Sequence, residues 1–260
     1  MPTPFKRLSI AEFAQLLDRF PFSRRITSVH MHHTWRPNHA QFRGHDSIVA
    51  MWRFHTQERG FSDIAQHLTI DPEGFVWTGR NWNAAPASAS GYNGNANSGP
   101  FMFETVGDFD RGMDPLAGAQ REAVLDVIKL VQKRFKLEAE SLMFHNQMAP
   151  KSCPGTGIDR NEMIAAVGKH EPSTARDAAS GPFGPAAMAS SESVEQAIAL
   201  LTDCTGVRGS DPADAELDYG DEMRSALVPA TGARGGAALG PEALESLGPH
   251  GVNPGTGRFS

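Results

Sequence analysis

The chain has 260 residues, 40% of them hydrophobic, with a formal net charge of −6. That is enough apolar material for a sizeable core, and it leaves no basic surplus for gripping a nucleic-acid backbone. No run of about 18 apolar residues exists, so membrane insertion is not expected.

The charge is uneven. Residues 1–170 carry 19 Lys+Arg against 17 Asp+Glu, a net of +2, whereas residues 171–260 carry 5 against 13, a net of −8. Composition shifts at the same place, because 171–193 is rich in Ala, Ser, Gly and Pro without helical or strand periodicity. The expected division is a globular domain over 1–170, a linker over 171–193, and an acidic low-complexity tail over 194–260 holding one short helix near 194–201.

The first predicted element is an amphipathic helix. Ser9 followed three residues on by Glu12 is a capping-box pattern, and Ile10, Phe13, Leu16 and Leu17 form one apolar stripe. Acidic and polar residues interrupt the apolar run that a secretion signal needs over residues 1–17, so synthesis in the cytoplasm without a signal peptide is expected. Next comes a strand over 25–33. Alternation puts His30 and His32 on one face, with His33 pointing the other way. Asp46 is placed to cap a helix running to about Glu58, with Ile48, Trp52 and His55 on one side. Further strands are expected at 65–71, 74–78, 100–106 and 141–145, and a helix striped by Val124, Ile128, Val131 and Phe135. The pattern is α/β, a mixed central sheet flanked by helices.

Two distant segments carry the chemistry. His32-His33-Thr34 ends the first long strand, and His145 stands eight residues before Cys153. Two imidazoles and a thiolate are three ligands for zinc, leaving the fourth tetrahedral position open, as in catalytic sites. With Cys153 so engaged, Cys204 has no partner, and no disulfide framework is expected.

These segments resemble the type-2 N-acetylmuramoyl-L-alanine amidases, the family that includes phage amidases, cytosolic anhydromuropeptide amidases and peptidoglycan recognition proteins. In that family a His-His-Thr element ends the first core strand and a later His-x7-Cys loop closes the metal site. Between them, residues 60–80 look like the family's Trp-x-Asp-Ile-Gly-Tyr-His segment with its hairpin and Gly-Arg, here Gly79-Arg80. Residues 91–95 and 101–109 look like the region that carries a catalytic glutamate in cytosolic members. The similarity spans roughly 25–165.

The resemblance implies the amidase and peptidoglycan-recognition-protein fold, with Zn2+ held by His32, His145 and Cys153. It implies hydrolysis of the bond between N-acetylmuramic acid and L-alanine in a peptidoglycan or muropeptide partner. With no signal peptide expected, the wall would be reached by a non-classical route, or the substrate would be recycled muropeptides in the cytosol. Alternatives are a non-catalytic peptidoglycan-binding protein and a zinc amidase acting on another acyl-amino substrate.

Glu104 lies in the apolar run Phe101–Val106, where a carboxylate is costly unless it faces a polar cavity, which makes it the candidate base. Lys151, two residues before Cys153, is the candidate cation for the oxyanion. Gln66 stands where phage relatives carry a tyrosine. It cannot act as a base, so proton transfer shifts to Glu104, while its amide can still bond water or substrate. Ser88-Ala89-Ser90 stands where relatives often have a histidine. His67, His30, Trp35 and Asn93 are expected to orient a ligand or contact substrate, and Trp82 and Asn83 to border the groove. Oligomeric state leaves no trace in the sequence.

Overall fold

A computed structural model describes residues 5–173 and 191–202. The linker beyond 173, Cys204 and the tail beyond 202 lie outside the described residues.

Six strands form one mixed sheet: β1 (Arg7–Leu8), β2 (Arg25–His33), β3 (Leu68–Ile70), β4 (Val76–Thr78), β5 (Ser98–Thr105) and β6 (Leu142–Phe144). The order is β1-β4-β3-β5-β2-β6. β2 runs parallel to β5 and β6, β3 runs parallel to β5, and the β3–β4 and β4–β1 pairs are antiparallel. Five α-helices accompany it among the described residues: α1 (Ile10–Arg19), α2 (His45–Arg53), α3 (Gly118–Phe135), α4 (Arg160–Lys169) and α5 (Ser191–Thr202).

Local chemistry explains most boundaries. The capping box at Ser9 and Glu12 opens α1, and Asp159 accepts from Glu162 N–H to open α4, a helix absent from the sequence expectation. α2 differs from expectation at both ends. Its N-cap is Gly44 with no side-chain cap, Asp46 sits inside the first turn, and the helix passes into a wider π turn at Phe54–Glu58. The strand expected at 65–71 is shorter, because the Ala65 N–H bonds to the His55 ring at 3.2 Å instead of to a neighbouring strand. Asp71 Oδ1 accepts from the Glu73 and Phe75 N–H groups in the β3–β4 turn, where Gly74 takes φ +84°.

The two faces of the sheet are unlike. Val29 and Met31 of β2, Phe101 and Phe103 of β5, Leu68 and Ile70 of β3, and Leu142 and Phe144 of β6 join residues of α1, α3, α4 and α5 in the main core. A register shift between Ile26 and Ser28 lets Ile26 share that face with Val29 despite the odd spacing. The opposite face presents a row across the strands, Trp77, Thr69, Glu104 and His32, aligned by register. Smaller apolar clusters cover this side: Trp77 with Phe5, Ile48, Met51, Phe54 and Ile64, and Met102 with Phe61, Ala65 and Ala87. No described helix is long and apolar enough to cross a membrane.

Candidate metal centre and active site

β2 delivers His32 fully buried, and His145 follows β6 in a short 3-10 turn. The loop from His145 to Cys153 is closed by Asn146 N–H donating to Cys153 O at 2.8 Å and by Met148 and Ala149 N–H donating to His145 O. Asp110 braces it from outside, accepting from Ser152 Oγ and Thr156 N–H. Burial alone would raise that carboxyl, but these bonds hold it below its usual range. Gly155 is required here, since a Cβ would stand 2.4 Å from Phe109 O and φ is +124°. Thr34 ties the strand end to the β5 loop, donating to Pro37 O and accepting from Gly107 N–H.

The ligand atoms of His32, His145 and Cys153 all lie within 4.8 Å of one another, and all three residues are buried. His32 Nδ1 stands 3.5 Å from Cys153 Sγ. Zinc bond lengths of about 2.0 Å to nitrogen and 2.3 Å to sulfur, at tetrahedral angles, place such a pair about 3.5 Å apart. The donor set therefore fits zinc.

Burial acts on the two kinds of donor in opposite senses: it keeps the imidazole neutral and ready to ligate, and it opposes the thiolate, which a bound cation would have to stabilise. Burial pushes the Cys153 thiol up, opposed by the His33 N–H donated to Sγ at 3.4 Å and by the Lys151 charge, and reinforced by Glu104 and Asp110. Burial and the neighbouring histidines push His32 well below its ordinary value, which keeps it neutral as a ligand must be. His30 is pushed to about 3 by burial, then by His145 and Arg24.

Glu104 is fully buried beside His32 in the register. Lys151 is half-buried on the ligand loop. Gln66, also buried, donates from Nε2 to Thr69 Oγ1 at 2.9 Å, and its Oε1 has no hydrogen-bond partner among the described residues. Thr69 neighbours Glu104 in the register, so Gln66 is linked through Thr69 to the strand position beside the candidate base.

The remaining expected residues divide by role. Both nitrogens of His67 are engaged, Nδ1 accepting from Met102 N–H and Nε2 donating to Ala84 O, so its ring fastens a loop to β5. Asn93 Oδ1 accepts from the Ser88 and Ala89 N–H groups, fixing that loop from within. Trp35 is half-buried under the Arg36 guanidinium. Trp82 does not border a groove. It is fully buried against Phe13, Phe20, Phe22 and Phe101, and Asn83 accepts from Ser23 and Arg24 N–H groups. The Gly79-Arg80 pair is architectural as well. A Cβ on Gly79 would meet Gln66 O at 2.3 Å, and Arg80 donates to the carbonyls of Asp63, Ile64 and Ala85.

Sequence reasoning passed over Ser88 as a mere departure from the family. Its hydroxyl lies 2.8 Å from His32 Nε2 and 3.0 Å from His30 Nδ1. Only the shared face of His30 and His32 hinted that something must lie between them.

Comparison with known proteins decides the family. The N-acetylmuramoyl-L-alanine amidase family pattern matches residues 22–156, more than half the chain. The chain belongs to that family. Among relatives, the endolysin of Escherichia phage T7 is 30% identical over 116 residues, covering 42% of this chain and 74% of that protein. The N-acetylmuramoyl-L-alanine amidase LysC of Clostridium intestinale superposes with a TM-score of 0.45 at 21% identity, covering 56% of this chain and 87% of that one. A Drosophila peptidoglycan-recognition protein LB variant, solved in complex with tracheal cytotoxin, gives 0.44 at 23% identity, covering 65% and 87%.

Proposed function

We propose that this amidase-family chain hydrolyses the amide between the lactyl group of N-acetylmuramic acid and L-alanine of the peptidoglycan stem, with zinc held by His32, His145 and Cys153. The observation that supports this reading is the convergence of those three buried ligand atoms within the segment that matches the family.

Zinc in such a site lowers the pKa of water towards about 7 and polarises a carbonyl. The protein supplies the rest. Glu104 takes a proton from the attacking water as the new C–O bond forms, then passes it to the alanine nitrogen as the C–N bond breaks. Lys151 lends its ammonium to the negative charge that grows on the carbonyl oxygen. Gln66, where phage relatives have tyrosine, offers a free amide oxygen to a donor in the site. The enclosing apolar clusters lower the local dielectric and strengthen each of these interactions.

The test is release of alanine-terminated stem peptides from purified peptidoglycan by the wild type and by Cys153→Ser, with zinc content measured for both. Release by the wild type, lost together with zinc in the variant, is the expected result. Stoichiometric zinc in a wild type that releases nothing would sink the muramoyl substrate.

A further inference from the structure

Three side chains from two stretches of sequence, Ser88, His30 and Ser28, form a line that starts at His32. Ser88 Oγ lies 2.8 Å from His32 Nε2 and 3.0 Å from His30 Nδ1, and His30 Nε2 lies 3.2 Å from Ser28 Oγ. His30, His32 and Ser88 are buried, so water does not compete for these bonds.

Proton counting gives the line a direction. A hydroxyl has one proton to donate, so between two imidazole nitrogens it accepts from one ring and donates to the other. His32 Nδ1 faces Cys153 Sγ at 3.5 Å, inside the ligand cluster, and must be bare to bind a cation. The His32 proton therefore sits on Nε2 and is donated to Ser88 Oγ. Ser88 then donates to His30 Nδ1, and the remaining His30 N–H donates to Ser28 Oγ. The reverse order would put a proton on the nitrogen that faces the thiol.

We propose that Ser88 is a positioning residue for the metal centre, and that the chain His32 to Ser88 to His30 to Ser28 fixes the tautomer and ring orientation of His32. This assignment rests on the zinc reading above. Its geometry is braced independently: Asn93 Oδ1 accepts from Ser88 N–H at 2.6 Å and from Ala89 N–H at 3.0 Å, and the Asn93 carbonyl accepts in turn from the buried Arg24 guanidinium at 3.0 Å. The partner that orients a metal-bound histidine is commonly a carboxylate or a carbonyl. Here a hydroxyl does that work, and a second histidine holds the hydroxyl in its accepting orientation.

The test is zinc affinity of the full chain, measured by competition with a chromophoric chelator, alongside the visible spectrum of the cobalt-substituted protein and thermal unfolding of the metal-free form. Ser88→Ala is expected to weaken zinc binding about 10- to 100-fold and to alter the cobalt bands, with metal-free melting close to wild type. Ser88→Thr, which keeps the hydroxyl, is expected to recover most of the affinity. Zinc affinity of Ser88→Ala within about twofold of wild type overturns the proposal, as does a loss matched in full by metal-free destabilisation. Should Ser88→Ala fail to fold, His30→Ala leaves the hydroxyl without its acceptor, and an unchanged zinc affinity there overturns the proposal equally. A wild type that binds no zinc overturns the metal reading and this assignment with it. A wild type that binds zinc no better than Ser88→Ala overturns the assignment alone.

Discussion

The two faces of the central sheet are made from the same strands but are built for opposite ends. Along β2, Val29 and Met31 enter a continuous apolar core, while His30 and His32, one position away in each case, are buried on the opposite face, where His32 joins the ligand cluster. β5 repeats the division, with Phe101 and Phe103 in the core and Glu104 beside His32. Side chains with a period of two thus let one rigid strand anchor the fold and aim the chemistry at once. A substitution and its sequence neighbour should therefore fail in different ways.

The largest effect is expected at Glu104. Glu104→Gln keeps the shape and removes the base, so kcat on peptidoglycan fragments should fall about 10²- to 10⁴-fold, with zinc content and unfolding midpoint near wild type. An active Glu104→Gln would break the assignment of the base. One position earlier, Phe103→Ala should cost about 3–5 kcal/mol in urea unfolding through the cavity it leaves. Zinc should still bind under conditions where that variant is folded. A Phe103→Ala protein of full stability but impaired chemistry would erase the distinction between the faces.

The polar side also concentrates the response to acid. His55, in the layer over that face and stacked on Phe61, is pushed to about 3, chiefly by burial and then by Arg80 and Arg59. The unfolded chain takes up that proton near 6.5, so below this value the unfolded state holds more protons and stability drops as pH falls. The contribution is complete above about pH 7 and is lost at about 1.4 kcal/mol per pH unit between roughly 6 and 4. His67 is displaced in the same direction by burial and Arg24. Unfolding free energies of wild type and His55→Gln over that range should diverge by about that slope, with the variant less acid-sensitive. Parallel curves would show that His55 does not hold its neutral form in the fold.

What could be read in advance follows the same division. Strand alternation put His30 and His32 on one face, and the ordered motifs that resemble the amidase family paired His32 with His145 and Cys153 across more than a hundred residues. Elements with a strong local signature, such as the Ser9–Glu12 cap and the stripe of α3, were legible as well. Ser88 was not, because a serine in an irregular loop carries no periodicity, and its role exists only through the fold that brings it under His32. Trp82 misled for a related reason. An aromatic residue after a turn reads equally as a groove wall or a core plug, and only the surrounding phenylalanines choose. The two-residue β1 is too short to show a pattern, and its pairing with β4 depends on long-range register.

The smallest expected effect lies on the core side, at the start of α1. Ser9 Oγ accepts from Glu12 N–H at 3.2 Å, and Glu12 Oε2 accepts from Ser9 N–H at 2.8 Å, while Glu12 Oε1 also accepts from Ser193 Oγ of α5. Ser9→Ala removes one half of the box and should cost about 1 kcal/mol, read as a shift of the urea midpoint at unchanged slope. Ser9→Asp, which restores an acceptor at the cap, should recover most of it. Because α1 packs behind the sheet through Ile10, Phe13, Leu16 and Leu17, neither variant should move zinc affinity or turnover. A change in either would mean that the apolar layer transmits strain through β2 to His32, and that the two faces are less separable than their chemistry suggests.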